Sequence, residues 1–352
     1  MAALIAILKA LRHAVGRDLG TFESITVNNL FLFVALLCYG ALNSGQPPHS
    51  AEPFFVLLGF LLLFPLSADP LGRIPPSRLS LWPLTTRQRL GLRLGSLALS
   101  PVTWVGLLIL WRTARPTLAL AFLALAAAIQ AAAALARYAV RHNRHWDVLR
   151  DIPVLPGRLG GLVRKDLRQM LSVLDPYAAA LLSLGGGLYR AAGRHADPVA
   201  FSILSLLVAL SLSTYGQSLF GLDIGSGITR YRLLPLPGWQ LLLAKDLAFL
   251  TLLLVLLSPL DPGPGMTLGF AALAAGHHSS VLMEIPHQRW RFTGGRLLPV
   301  GALQAMGGMA LGFLESARGP VVLLLTAVAW LVSLWFYGRR WDARSTGAHH
   351  AL

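Results

Sequence analysis

The sequence predicts an all-α fold: a polytopic helical membrane protein with about ten transmembrane helices in two partly duplicated halves. Three observations carry this reading. First, 55% of the 352 residues are apolar and only 13% are charged, whereas soluble domains are about a quarter charged. Second, the apolar residues collect in runs such as "NNLFLFVALLCYGAL" and "AFLALAAAIQAAAALA", which offer no polar face to water. Third, one basic, proline-containing segment occurs twice, 152 positions apart, each time between apolar runs.

The chain opens with "MAALIAILKALRHAVGRDLG", amphipathic and carrying Lys9, Arg12 and Arg17. It lacks a small-residue cleavage site after an apolar core, so it reads as an interfacial helix on the inner leaflet rather than a leader. A bilayer core takes about 20 apolar residues per helix. Ten stretches fit, centred on residues 27–44, 53–68, 94–111, 117–137, 176–189, 198–219, 246–260, 266–283, 297–314 and 320–337.

Ten spans put both termini on one side. With the N-terminus inside, inner segments hold 25 of the 30 Lys and Arg residues; the outer loops keep Arg112, Arg115, Arg190, Arg194 and Arg318. Basic residues mark cytoplasmic loops. The expectation is therefore a multi-pass protein of the cell inner membrane with cytoplasmic termini. The net charge of +15 is dispersed among loops that face lipid headgroups, so no nucleic-acid partner is implied. All 15 acids fall in loops or at span edges on this map, which argues against a carrier driven by an ion gradient. The single cysteine, Cys38, excludes an internal disulfide, and no Cys/His cluster has metal-ligand spacing.

The repeat pairs "RLSLWPLTTRQRLGLR" (Arg78 to Arg93) with "RYRLLPLPGWQLLLAK" (Arg230 to Lys245) without a gap. Arg78 matches Arg230, Pro83-Leu84 matches Pro235-Leu236, Gln88 matches Gln240, and Arg93 matches Lys245. An earlier pair, "RDLGTFESI" (Arg17 to Ile25) and "KDLRQMLSV" (Lys165 to Val173), shares a cation, Asp-Leu, and a serine six residues after the Asp. Each half thus reads as basic elbow, two spans, basic proline loop, further spans, a duplicated plan common in transporters. In the first loop Thr85 and Gln88 form a predicted capping box that starts a helix. In the second, Pro237 takes the Thr85 position and is expected in the first helical turn. A stiff bend rigidly continuous with a span can pass a push into the membrane.

These residues resemble type-2 ABC transporter permeases, the membrane subunits of ATP-driven exporters. The resemblance rests on Phe220, Gly221, Asp223, Gly225 or Gly227, Arg230, Leu234-Pro235 and Lys245 in "LFGLDIGSGITRYRLLPLPGWQLLLAKDLAFL". It also rests on the elbow Arg164-Lys165-Asp166-Leu167, and on "GHHSSVLMEIPHQRWRF" (Gly276 to Phe292), with His277 where the family has Asn.

The resemblance implies a first transmembrane half over 1–150, with an elbow, four spans and a coupling loop at 69–93. The second half, 151–352, would have an elbow, about six spans and a coupling loop at 220–245. It implies contact with a separate ABC ATPase subunit, in two copies, through Arg78, Pro83, Leu84, Gln88 and Arg93 in one loop. In the other, Asp223, Arg230, Pro235, Leu236, Gln240 and Lys245 would make that contact. The chain itself would hold no cofactor, ATP being bound by the partner; membrane lipids and a second copy or second permease subunit complete the implied assembly. No G-x-x-x-x-G-K-[ST] motif occurs.

Other constellations carry weaker signals. "GSGITR" (Gly225 to Arg230) follows a span rather than a strand, so it is a poor phosphate loop. His277 with Ser279 would suit an integral membrane enzyme or scaffold acting on lipids, but no carboxylate on a neighbouring span is expected to orient the histidine. His277, His278 and His287 lack a zinc pattern. "RHNRHWDVLRD" (Arg141 to Asp151) reads as a solvated connector.

Overall fold

The computed structural model describes residues 7–13, 84–99, 116–139, 159–191, 198–223, 230–231, 234–283, 285–287 and 298–347, and between these residues 71, 82, 103–104, 107–108, 111, 157, 228, 289 and 293. Every regular element among the described residues is helical and none is a strand. Helix α1 covers residues 7–13, α2 Thr86–Leu99, α3 Pro116–Ala139, α4 Gly160–Met170, α5 Asp175–Ala191, α6 Pro198–Gly216, α7 Gly238–Leu257, α8 Pro262–Leu282, α9 Leu298–Arg318 and α10 Val321–Gly347. Contacts divide the chain into two compact units, residues 1–26 with 34–148 and residues 27–33 with 149–352.

In the first unit, α1 is amphipathic as expected: Leu11 is buried while Lys9, Arg12 and His13 are exposed. Its apolar side, however, packs onto protein. Ile7, Leu8 and Leu11 join Leu71, Leu84, Leu92 and Leu99 in one cluster, so burial against the chain accounts for what the sequence alone assigned to lipid. The capping box forms. Gln88 Oε1 accepts from the Thr85 amide at 3.0 Å and Thr85 Oγ1 accepts from the Gln88 amide at 3.3 Å, and α2 begins at the next residue. The predicted spans 27–44 and 53–68, the first elbow Arg17 to Ile25, Arg78, Pro83 and the connector Arg141 to Asp151 lie outside the described residues.

In the second unit, all six apolar stretches are helices. By length and composition, α7 and α10 can each cross a membrane, and the pair α4 plus α5, bent by 82°, adds a third candidate. Helix α4 buries Val163, Asp166 and Met170 at helical spacing, so one side faces protein, and it packs on α7.

Helix α8 is central, packing on α6, α9 and α10. Small residues explain the close approach: a side chain at Gly276 would strike the backbone carbonyl of Gly216 on α6, the small-residue packing expected between membrane helices. Between α9 and α10 the chain reverses at Gly319, whose φ of +76° suits glycine; its amide donates to the Glu315 carbonyl at 2.7 Å. The outward side of α10 is apolar, with Leu324, Leu325, Val328, Leu331 and Val332 exposed. It ends in Trp335 and Phe336, under Arg339 and Arg340 at 4.1 and 4.9 Å. Interfacial aromatic and basic anchors follow an apolar span in this order.

Candidate functional site

The second basic loop joins α6 to α7, and its base is a buried knot of charges. Lys245 lies two turns into α7 and is 2% exposed. Its Nζ donates to Asp223 Oδ2 at 2.7 Å and to Asp166 Oδ1 at 3.1 Å. Lys165 on α4 donates to Asp223 Oδ1 at 2.8 Å and also to the Tyr231 hydroxyl. Gln169 Nε2 adds a bond to Asp223 Oδ1 at 2.7 Å, and the Tyr231 hydroxyl donates to Asp223 Oδ2 at 3.1 Å. Two cations therefore meet two carboxylates, and Lys245 also lies 4.8 Å from the centre of the Phe220 ring.

Each position has a reason. Asp166 is on the buried side of the amphipathic elbow. Asp223 follows α6 in a turn closed by its own amide on the Phe220 carbonyl at 2.8 Å. Lys245 and Asp246 are adjacent on a helix, roughly 100° apart around its axis, so the first reaches α4 and the loop while the second turns to α8 and α10. Balanced pairing lets such charges be buried at all. Burial by itself would raise the Asp223 carboxyl; Lys245, with hydrogen bonds from Gln169 and Lys165, outweighs it and holds the group at about 2. Burial beside Asp166 and Asp223 drives the Tyr231 hydroxyl well above its ordinary value.

The start of α7 is fixed from another direction. Pro237 is the N-cap, with extended backbone, and has no capping side chain. It therefore stands one residue before the predicted first turn. The Gly238 amide is satisfied instead by Asp342 Oδ1 of α10 at 2.7 Å. Gly238 abuts the Gly338 carbonyl and Trp341, and Trp341 stacks on Phe220 at 4.6 Å. Nearby, His287 contacts Ser218 and its amide donates to the Gly221 carbonyl. Burial holds its imidazole down to about 4. A cleft of about 300 Å³ opens here, lined by Ser218, Ile228, Ser280, Met283, Trp341 and Arg344.

The expected contact residues thus separate into two groups. Asp223 and Lys245 are internal fasteners, as is Arg93, which is buried in the first unit and donates to Gln130 Oε1 at 3.3 Å. Leu84 packs in the first unit's cluster and Gln88 is spent on the cap. Arg230 and Pro235 are exposed, and Leu236 and Gln240 half-buried. Leu234, part of the Leu234-Pro235 step that carries the resemblance, shares that exposed surface with Trp239, which the sequence alone did not mark as a contact residue.

One expectation is corrected. A carboxylate does orient His277: Asp246 Oδ2 is 3.0 Å from its Nε2 and both side chains are fully buried. The premise that every acid sits in a loop or at a span edge therefore fails at Asp246, in the body of α7. Ser279 does not reach His277; its hydroxyl donates to the Gln217 and Gly276 carbonyls. His277, His278 and His287 turn to separate partners, and no metal-binding cluster occurs among the described residues. No family model, curated protein or solved structure matches the chain.

Proposed function

We propose that this chain is the membrane-spanning permease subunit of an ATP-driven exporter, moved by a separate ATPase subunit that grips its basic loops. On this reading there are about ten spans, the loops and both termini face the cytoplasm, and the membrane is the cell inner membrane. The supporting observation is the division of labour in the second loop. Arg230, Leu234, Pro235 and Trp239 are outward, while Asp223, Lys245 and Gly238 bind the loop's base to α4, α7 and α10. A force on the outward residues therefore reaches three helices at once. Within the knot, Lys165 and Lys245 are paired with Asp166 and Asp223.

The test is association. Arg78→Glu with Arg230→Glu abolishes co-purification of a nucleotide-binding subunit while the permease keeps its melting temperature. Unchanged association overturns the docking role. The alternative, a membrane enzyme acting on lipid, predicts turnover without nucleotide that is lost in His277→Gln.

A further inference from the structure

Asp246 and His277 take no part in the knot. Asp246 is on α7, His277 on α8, and Trp330 and Ser333 on α10; three helices close on one point. Asp246 lies roughly 16 Å along its helix from Leu257, well inside a span. Trp330 Nε1–H donates to Asp246 Oδ2 at 2.8 Å, and His277 Nε2 stands 3.0 Å from the same oxygen. On the other edge of the ring, Nδ1 is 2.9 Å from Ser333 Oγ, which is 2.7 Å from the Ala274 carbonyl.

The protons can be counted. The last three contacts each need one, because lone pairs would otherwise oppose each other. The Ala274 carbonyl has none, so the Ser333 hydroxyl proton goes there. Ser333 must then accept from Nδ1–H. With its one ordinary proton on Nδ1, a neutral imidazole would present a bare Nε2 to a carboxylate oxygen. A second proton has to lie between Nε2 and Oδ2. Neutral histidine plus ionised aspartate supplies one proton where two are required. In this arrangement His277 has no lone pair left to accept the Ser333 proton.

We infer that Asp246 and His277 together form a binding site for one proton between α7 and α8. Filled, the pair is electrically neutral, whether written as imidazolium with carboxylate or imidazole with carboxylic acid. Emptied, it leaves a negative charge where Asp246 Oδ1 already lacks a hydrogen-bond partner among the described residues, a costly arrangement away from water. Loss of the proton leaves two protons for three contacts, so the Asp246–His277, the His277–Ser333 or the Ser333–Ala274 contact is lost, loosening α8 from α7 or from α10. Proton occupancy and the packing of these three helices are thus one equilibrium.

The surrounding ionisable groups are engaged elsewhere. Lys245 binds Asp166 and Asp223, and Asp175 accepts from Thr214 and Thr293. His278 meets the Tyr337 hydroxyl. The Tyr337 ring lies 6.4 Å from the His277 ring, centre to centre. Tyr215 on α6 stacks on His287, Arg339 and Arg340 lie over Trp335 and Phe336, and Arg344 donates to the Val281 carbonyl. Asp261 and Glu315 stand at the opposite ends of α8 and α9.

Full-length protein with 15N-labelled histidine tests the site. The His277 resonances are identified by their loss in His277→Gln or, if that chain does not fold, by the imidazole that shifts in Asp246→Asn. The expected result at neutral pH is a proton on Nδ1. Asp246→Asn should instead move the single ring proton to Nε2, because the amide oxygen that accepts from Trp330 is the atom facing Nε2 and supplies no proton. A folded wild-type chain with bare Nδ1 and its only ring proton on Nε2 overturns the assignment.

Discussion

Lys245 shows what one residue can decide here. Its ammonium neutralises much of two buried carboxylates, and Lys165, with a side chain 44% exposed, is poorly placed to replace it. Removing one partner of a buried ionic cluster typically costs about 3–5 kcal/mol, so Lys245→Met is expected to lower the melting temperature sharply, with partial recovery in Lys245→Met/Asp223→Asn. Acid should act in two stages. His287 is held down to about 4 from 6.5; the unfolded chain takes its proton first, so stability falls as pH drops from 6.5 towards 4. Asp223, held at about 2 against 3.8, contributes stability above 3.8 that is lost as pH falls towards 2. His287→Asn should remove the upper stage and Asp223→Asn the lower, read as melting temperature against pH. The sequence alone marked Asp223, Lys245 and His277 as notable. It could not show that Lys245 turns inward or that His277 meets Asp246, because those partners are 22 to 79 positions apart and no periodic signal links them.

At the level of helices, the legible features were the local ones. The Thr85–Gln88 box spans three residues, and both of its hydrogen bonds form. Thr85→Ala should cost about 1 kcal/mol, visible as faster amide exchange in the first turn of α2. Apolar run length likewise located six of the seven helices described in the second unit, α5 to α10. Their ends were harder, since what stops or starts a helix is often distant: α7 begins where Asp342 of α10 caps the Gly238 amide. Gly238→Ala would press a methyl group against the Gly338 carbonyl and Trp341, and Gly276→Ala would force α8 from α6. Overpacking of this kind costs roughly 1–3 kcal/mol. Gly307, with open space around its missing side chain, provides the control: Gly307→Ala should leave the melting temperature at or slightly above the wild-type value.

For the molecule as a whole, the proposed function has a motor carried by another polypeptide pull on Arg230 to Gln240. The duplicated loops were legible because both copies survive in sequence. The knot that stiffens the second was not, because Asp166, Asp223 and Lys245 come from three separate elements. The most direct measurement is a single cysteine at Trp239, which is 43% exposed, in a Cys38→Ser chain within native membranes. A short bifunctional thiol–amine crosslinker should join that cysteine to a nucleotide-binding polypeptide, identified by photolabelling with an ATP analogue, and the yield should change when nucleotide is added. A cysteine that reacts with an impermeant reagent from outside intact cells, or that reacts freely inside yet captures no nucleotide-binding chain, contradicts the account.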